Sequence, residues 1–152
     1  MRTILRRRKA QLKKDAAQYR TEIMAIELQM LALSAALGLV QIVLSAHAAS
    51  FQYGYRWAAS ARDQAMPPLT GVAARLERTL SNFMETFPLF IAAIVVASVV
   101  GRHSWMTAWG AQLYFWGRVA YLPLYFFGVP LVRSMVWNVA TIGIVLVLLS
   151  LI

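Results

Sequence analysis

From Met24 onward the chain alternates long apolar stretches with short polar breaks. The first stretch covers about residues 24–49, "MAIELQMLALSAALGLVQIVLSAHAA". The second runs from about Gly71 to Val100, the third from Trp105 to Phe127, and the fourth from about Arg133 to Ile152. A helix of about 20 apolar residues crosses the hydrocarbon core of a bilayer, so the pattern predicts four membrane-spanning helices. "GRHS" at 101–104 is a tight connection, which makes the second and third spans antiparallel neighbours. "GVP" at 128–130 reads as a turn. The longest break, residues 50–70, ends its helix before Pro67-Pro68. Its Tyr53, Tyr55 and Trp57 read as an interfacial aromatic belt, with Arg56, Arg62 and Asp63 as polar caps. Pro88 and Pro123 are predicted to loosen the second and third spans. Gly38 and Ser45 offer small packing positions on the first, and Gln41 is predicted to hydrogen-bond within the bundle.

Composition turns this pattern into a class. Hydrophobic residues make up 60% and charged residues 14%, against about a quarter charged in soluble domains. An all-α, multi-pass integral membrane protein follows. Cysteine is absent, which excludes disulfides, thiolate metal sites and a cysteine nucleophile. Any thiol chemistry must use a thiol brought by a ligand.

Charge divides the chain in two. The net charge is +9, and residues 1–23 hold eight basic and two acidic residues, a net of +6. The division is a basic N-terminal extension (1–23) and a membrane domain (24–152). Cations beside a membrane segment suit anionic lipid headgroups, so lipid rather than nucleic acid is the expected partner. The extension is either a short basic helix on the membrane surface or a solvated tail. It is not a signal peptide, because the apolar run behind it is too long for an h-region. Met24 is a candidate start, and the choice sets the topology. With the extension counted, the N-terminus lies in the cytoplasm and residues 50–70 lie outside. Without it, Arg56, Arg62 and Arg75 place that connection on the cytoplasmic side of a bacterial cytoplasmic membrane, the orientation preferred here.

Two of the apolar stretches carry polar stripes. At about 100° per residue, Arg78, Asn82 and Glu85 fall within about 60° of one another on the second span. Tyr114, Arg118, Tyr121 and Tyr125 do the same on the third. Ionisable groups inside a span face a bundle interior or a water-filled cavity. Antiparallel spans bring Arg78, Asn82, Tyr125 and Arg133 to one depth, with cations, an amide and phenols suited to a small zwitterionic or polyanionic ligand. The alternative is structural: Glu85 and Arg118 pair inside the bundle. A hydrolytic triad is not expected, since His47 and His103 are the only histidines and neither has an obvious acidic partner. A metal site lacks ligands for the same reason, and no phosphate-cradling glycine loop occurs.

The spacing Arg78, Asn82, Glu85, Pro88 in "RTLSNFMETFPLF" resembles the signature of the MAPEG family, the membrane-associated proteins of eicosanoid and glutathione metabolism. "GRVAYLPLYFFGVPLVRS" resembles the family's second motif through Arg118, Tyr121, Tyr125, Arg133 and Ser134, and "MPPLTG" is a weaker echo. The resemblance covers residues 24–152. It implies a four-helix transmembrane bundle assembled as a homotrimer, with glutathione bound between subunits. Carried over by position, it assigns Arg78, Asn82, Glu85, Tyr121 and Tyr125 to glutathione, with Arg62 at the rim. Arg133 would stabilise the thiolate, as a neighbouring guanidinium lowers a thiol pKa, and Ser134 would assist. Arg118 is read as partly structural. Some eicosanoid-forming members carry tyrosine where this chain has Thr86, which leaves the second substrate open.

The implied function is a membrane glutathione transferase, extending to peroxidase activity, that activates the glutathione thiol against a small apolar electrophile arriving from the lipid. The alternative is a non-catalytic small membrane protein or partner subunit whose polar stripes only fix packing. A third possibility is a binding module for another small anion.

Overall fold

The structure is a computed structural model. It describes the backbone of residues 2–152 and the side chains of residues 8, 9, 11–14 and 26–152. The chain is all-helical among these residues, with α1 (Arg2–Tyr53), a short α2 (Tyr55–Ala58), α3 (Gly71–Val99), α4 (Trp105–Phe127) and α5 (Pro130–Leu149).

Helix α1 takes in both the basic extension and the first apolar stretch, since no glycine precedes Gly38 and no proline precedes Pro67. The expected boundary at residue 49 moves to Gly54, whose φ of 89° ends the helix. Arg8, Lys9, Lys13 and Lys14 are exposed. The other basic side chains of the extension, and with them its expected lipid contact, lie outside the described residues.

The break that follows folds back onto the end of α1. Gln52 accepts from the Thr70 backbone N–H at 3.0 Å and donates to the Pro68 carbonyl. The Tyr53 hydroxyl donates to the Pro67 carbonyl at 2.6 Å. The two prolines have no N–H of their own to offer, and their carbonyls are satisfied from α1. Helix α4 starts at a capping box between Ser104 and Thr107 and ends at Gly128, which sits in the left-handed region at φ 75°. Pro130 then opens α5 at a position where no N–H is needed. Pro88 and Pro123 are contained within continuous helices.

Among the described residues, three helices are long and apolar enough to cross a membrane: the 26–53 part of α1, α3 and α5. Helix α4 was expected as a fourth and differs. At 1.5 Å per residue its 23 residues span about 34 Å, but three Trp, three Tyr, Gln112 and Arg118 make it less apolar. Its partners explain how it tolerates them. Helix α4 packs against α1, α3 and most extensively α5, while α1 and α5 have no Cα atoms within 8 Å of each other among the described residues. It is thus covered on several sides: Tyr114, Arg118 and Tyr121 are buried, while Trp105, Trp109 and Trp116 stay on its exposed face.

The core lies where α3, α4 and α5 meet, around Phe90, Ile94, Ala111, Tyr114, Ile144 and Val147. The rings of Phe90 and Tyr114 stack with centroids 4.0 Å apart. Small residues bring α4 and α5 close together. A Cβ on Gly143 would lie 2.5 Å from the Gly110 carbonyl oxygen, and one on Gly117 would lie 2.9 Å from the Ala140 Cβ. Without a hydrophobic drive between helices in lipid, such close packing has to supply much of the association.

Candidate functional site

A cavity of about 240 Å³ opens between α3, α4 and α5, lined by Asn82, Tyr121, Tyr125, Arg133, Ser134, Trp137 and Asn138. Five of these seven residues were picked from the sequence. They converge because α3 and α4 are antiparallel, so the early part of α3 lies level with the end of α4. The Gly128 turn then returns the chain at the same depth to start α5.

Each wall has its own internal support. The Arg133 guanidinium lies over the Tyr125 ring, 4.4 Å from its centroid, close enough for a cation–π contact. Tyr125 also accepts from Arg78 Nε at 3.2 Å, and its ring leans on Tyr121 with centroids 5.5 Å apart. Ser134 donates to the Pro130 carbonyl, and Asn138 donates to the Ser134 carbonyl at 2.9 Å. Arg75 joins the same end of α3 to the turn by donating Nη1 to the Phe126 carbonyl at 3.0 Å.

Behind the cavity sits Arg118, only 2% exposed. Its Nη1 donates to Asn82 Oδ1 at 2.7 Å and its Nη2 to Thr86 Oγ1. Tyr114 and Tyr121 present their ring faces at 5.5 and 5.7 Å. The Thr86 hydroxyl also contacts the Phe83 carbonyl and the Tyr114 hydroxyl, each at 3.3 Å. Thr86 has one proton, and the Phe83 carbonyl can only accept. Thr86 therefore accepts from both Arg118 and Tyr114. The pairing of Arg118 with Glu85 is not made: Glu85 is exposed, because it points to the outer side of the α3 stripe while Asn82 and Thr86 point inward.

Arg78 and Glu85 are exposed in the single chain and do not line the cavity. Arg62 does not line it either. It takes φ 59°, donates Nε and Nη2 to the Ala58 carbonyl and lies 5.5 Å from the centroid of the Trp57 ring. It is held within its own connection, and no Arg62–Asp63 ion pair forms among the described residues.

Two further expectations change. His103 does have an acidic partner: its Nδ1 lies 2.7 Å from Glu27 Oε2, both side chains fully enclosed. Glu27 is 76 positions away in sequence, so only the packing of α1 against the α3–α4 connection brings it there. Gln41 is buried as expected, yet its Oε1 has no partner among the described residues.

Sequence reasoning missed Trp137 as a cavity residue and left Asn138 without a role. Both were detectable, since they lie four residues after Arg133 and Ser134 and so share a helix face with them. The role of Thr86 had no such signal.

Comparisons with curated proteins and with solved structures give no match. A family model does match, over residues 30–152. That range holds both polar stripes and every residue around the cavity, and by it the chain belongs to the MAPEG family.

Proposed function

We propose that this membrane protein is a glutathione transferase in which the cavity between α3, α4 and α5 holds the thiol end of glutathione. Family membership supports the reading, since MAPEG proteins include glutathione transferases and related enzymes. The observation that carries it is the donor set gathered from three helices: the Asn82 amide, the Tyr121 and Tyr125 hydroxyls and the Arg133 guanidinium all border one cavity. Such a wall favours an anionic, acceptor-rich ligand. It also fits a chain that has no cysteine and must take its thiol from a ligand.

Arg133 holds the sulfur as thiolate, the nucleophilic form, and Ser134 lies one residue beyond it. Asn82, Tyr121 and Tyr125 orient the peptide. Glutathione supplies the sulfur that bonds to the electrophilic carbon, and the electrophile's leaving group departs with the carbon's former bonding pair. A small apolar electrophile reaches the site from the lipid. In the peroxidase extension the same thiolate attacks a hydroperoxide oxygen, releasing the alcohol, and a second glutathione converts the resulting sulfenic acid to glutathione disulfide and water.

A tripeptide is larger than this cavity is suited to, since pockets that enclose small drug-like ligands begin near 300 Å³. Arg78 and Glu85, exposed on the adjacent face of α3, offer contacts for the remainder. Charges facing lipid are costly. We therefore place a neighbouring subunit over that face, in a homotrimer of four-span bundles with α4 as the fourth span.

The test is the ultraviolet absorbance of glutathione thiolate on titrating the detergent-solubilised protein, with Arg133→Ala beside it. A thiolate band near neutral pH that is lost in the variant is expected. A band that survives removes Arg133 from this role. No band, with no glutathione binding by calorimetry, overturns the transferase and favours polar stripes that serve packing alone.

A further inference from the structure

We infer that Arg118 is a positioning residue, which turns the Asn82 amide so that its NH2 group faces the cavity and selects an anionic hydrogen-bond acceptor on the bound ligand. The inference rests on the reading that the cavity holds glutathione. Its basis is the 2.7 Å bond from Arg118 Nη1 to Asn82 Oδ1. A guanidinium can only donate, so the atom it meets is the amide oxygen and the flip of the side chain is decided. The oxygen is taken up behind the wall by a residue that does not border the cavity. Asn82 does border it, and its Nδ2 makes no hydrogen bond among the described residues.

The arrangement also sets donor strength. Arg118 is buried without a carboxylate partner among the described residues. Its charge is met by two neutral oxygens and two aromatic faces. A cation pulling on an amide oxygen polarises the amide and sharpens its N–H groups as donors. Arg118 cannot swing away, because Thr86 holds its other nitrogen and Tyr114 holds Thr86. On glutathione the acceptor is the thiolate or a carboxylate.

The experiment is calorimetric glutathione binding to the full detergent-solubilised protein and to Asn82→Asp. The aspartate is isosteric and keeps the bond to Arg118, so the thermal midpoint without ligand should stay at or above that of the parent. It has no N–H to offer, and its second oxygen faces the ligand. Glutathione affinity should fall about ten- to a hundredfold, the worth of a hydrogen bond to a charged group. S-methylglutathione separates the two acceptors. If the thiolate is the partner, Asn82→Asp affects S-methylglutathione little and shifts the pH at which the thiolate band appears. If a carboxylate is the partner, both ligands weaken alike and the band does not move. Arg118→Met should weaken glutathione in the same way. Parent-like glutathione affinity in Asn82→Asp overturns the inference while leaving the transferase reading intact. No glutathione binding by the parent overturns that reading and the inference with it.

Discussion

Replacing Gly143 by alanine tests whether the α4–α5 crossing sets both stability and the cavity. The added Cβ would lie 2.5 Å from the Gly110 carbonyl oxygen and 2.7 Å from the Tyr114 backbone nitrogen. Both are backbone atoms of α4, so no rotamer change relieves them. Reaching an ordinary contact of 3.4 Å requires the helices to separate by about 0.9 Å, a gap that forfeits a quarter to a half of each dispersion contact along the seam. Overpacking of this kind costs up to about 3 kcal/mol, and alanine returns about 1 kcal/mol of helix propensity. The net loss is about 2 kcal/mol, or about 4–8 °C in thermal midpoint for a chain of this size. Gly38→Ala is the comparison. Its Cβ would lie 2.8 Å from Phe83 Cε1, the edge of a side chain, and a ring can tilt. That clash of about 1 kcal/mol is offset by the propensity gain. The assay is thermal unfolding in one detergent, followed by glutathione calorimetry on the folded protein. Gly143→Ala should also weaken glutathione, because α4 supplies Tyr121 and Tyr125 and α5 supplies Arg133 and Ser134 to the same cavity. A Gly143→Ala midpoint no lower than that of Gly38→Ala, with parent-like glutathione affinity, would refute the reasoning.

Glu27→Ala leaves His103 enclosed without its partner and should cost on the order of 3 kcal/mol. Glutathione affinity of the folded protein should stay unchanged, since His103 follows the end of α3, which lies about 26 Å along the helix from Asn82. Gly128→Ala combines φ 75° with a Cβ placed 2.9 Å from Arg75 Nη1. It should cost about 1–2 kcal/mol, read as a midpoint about 2–8 °C lower in the same unfolding assay, and Arg75→Met should recover the part due to the clash. Tyr125→Phe removes the acceptor for Arg78 Nε but keeps the ring under Arg133. Glutathione affinity should fall severalfold while the pH of the thiolate band holds, read by calorimetry and absorbance together.

The linear order of residues determined the helices. Apolar runs of spanning length, the Gly54 break, the Ser104 cap and Gly128 are local signals, and each acts within one turn of its own position. The same holds for membership of one helix face, which put Arg78, Asn82 and Glu85 on one stripe and Tyr114, Arg118, Tyr121 and Tyr125 on another; Ser134 joined the site only through the family resemblance. Tertiary structure decided the partners. Arg118 meets Asn82 and Thr86 rather than Glu85, because the 60° between the edges of the α3 stripe is enough to turn one edge inward and the other out. Glu27 reaches His103 across 76 positions, a distance no periodicity encodes. Arg62 was expected at the rim, yet the Ala58 carbonyl and the Trp57 ring hold its guanidinium within its own connection. Helix periodicity fixes direction around one axis only. Which neighbouring axis lies in that direction depends on how closely the helices can approach, and here Gly110, Gly117 and Gly143 set that distance.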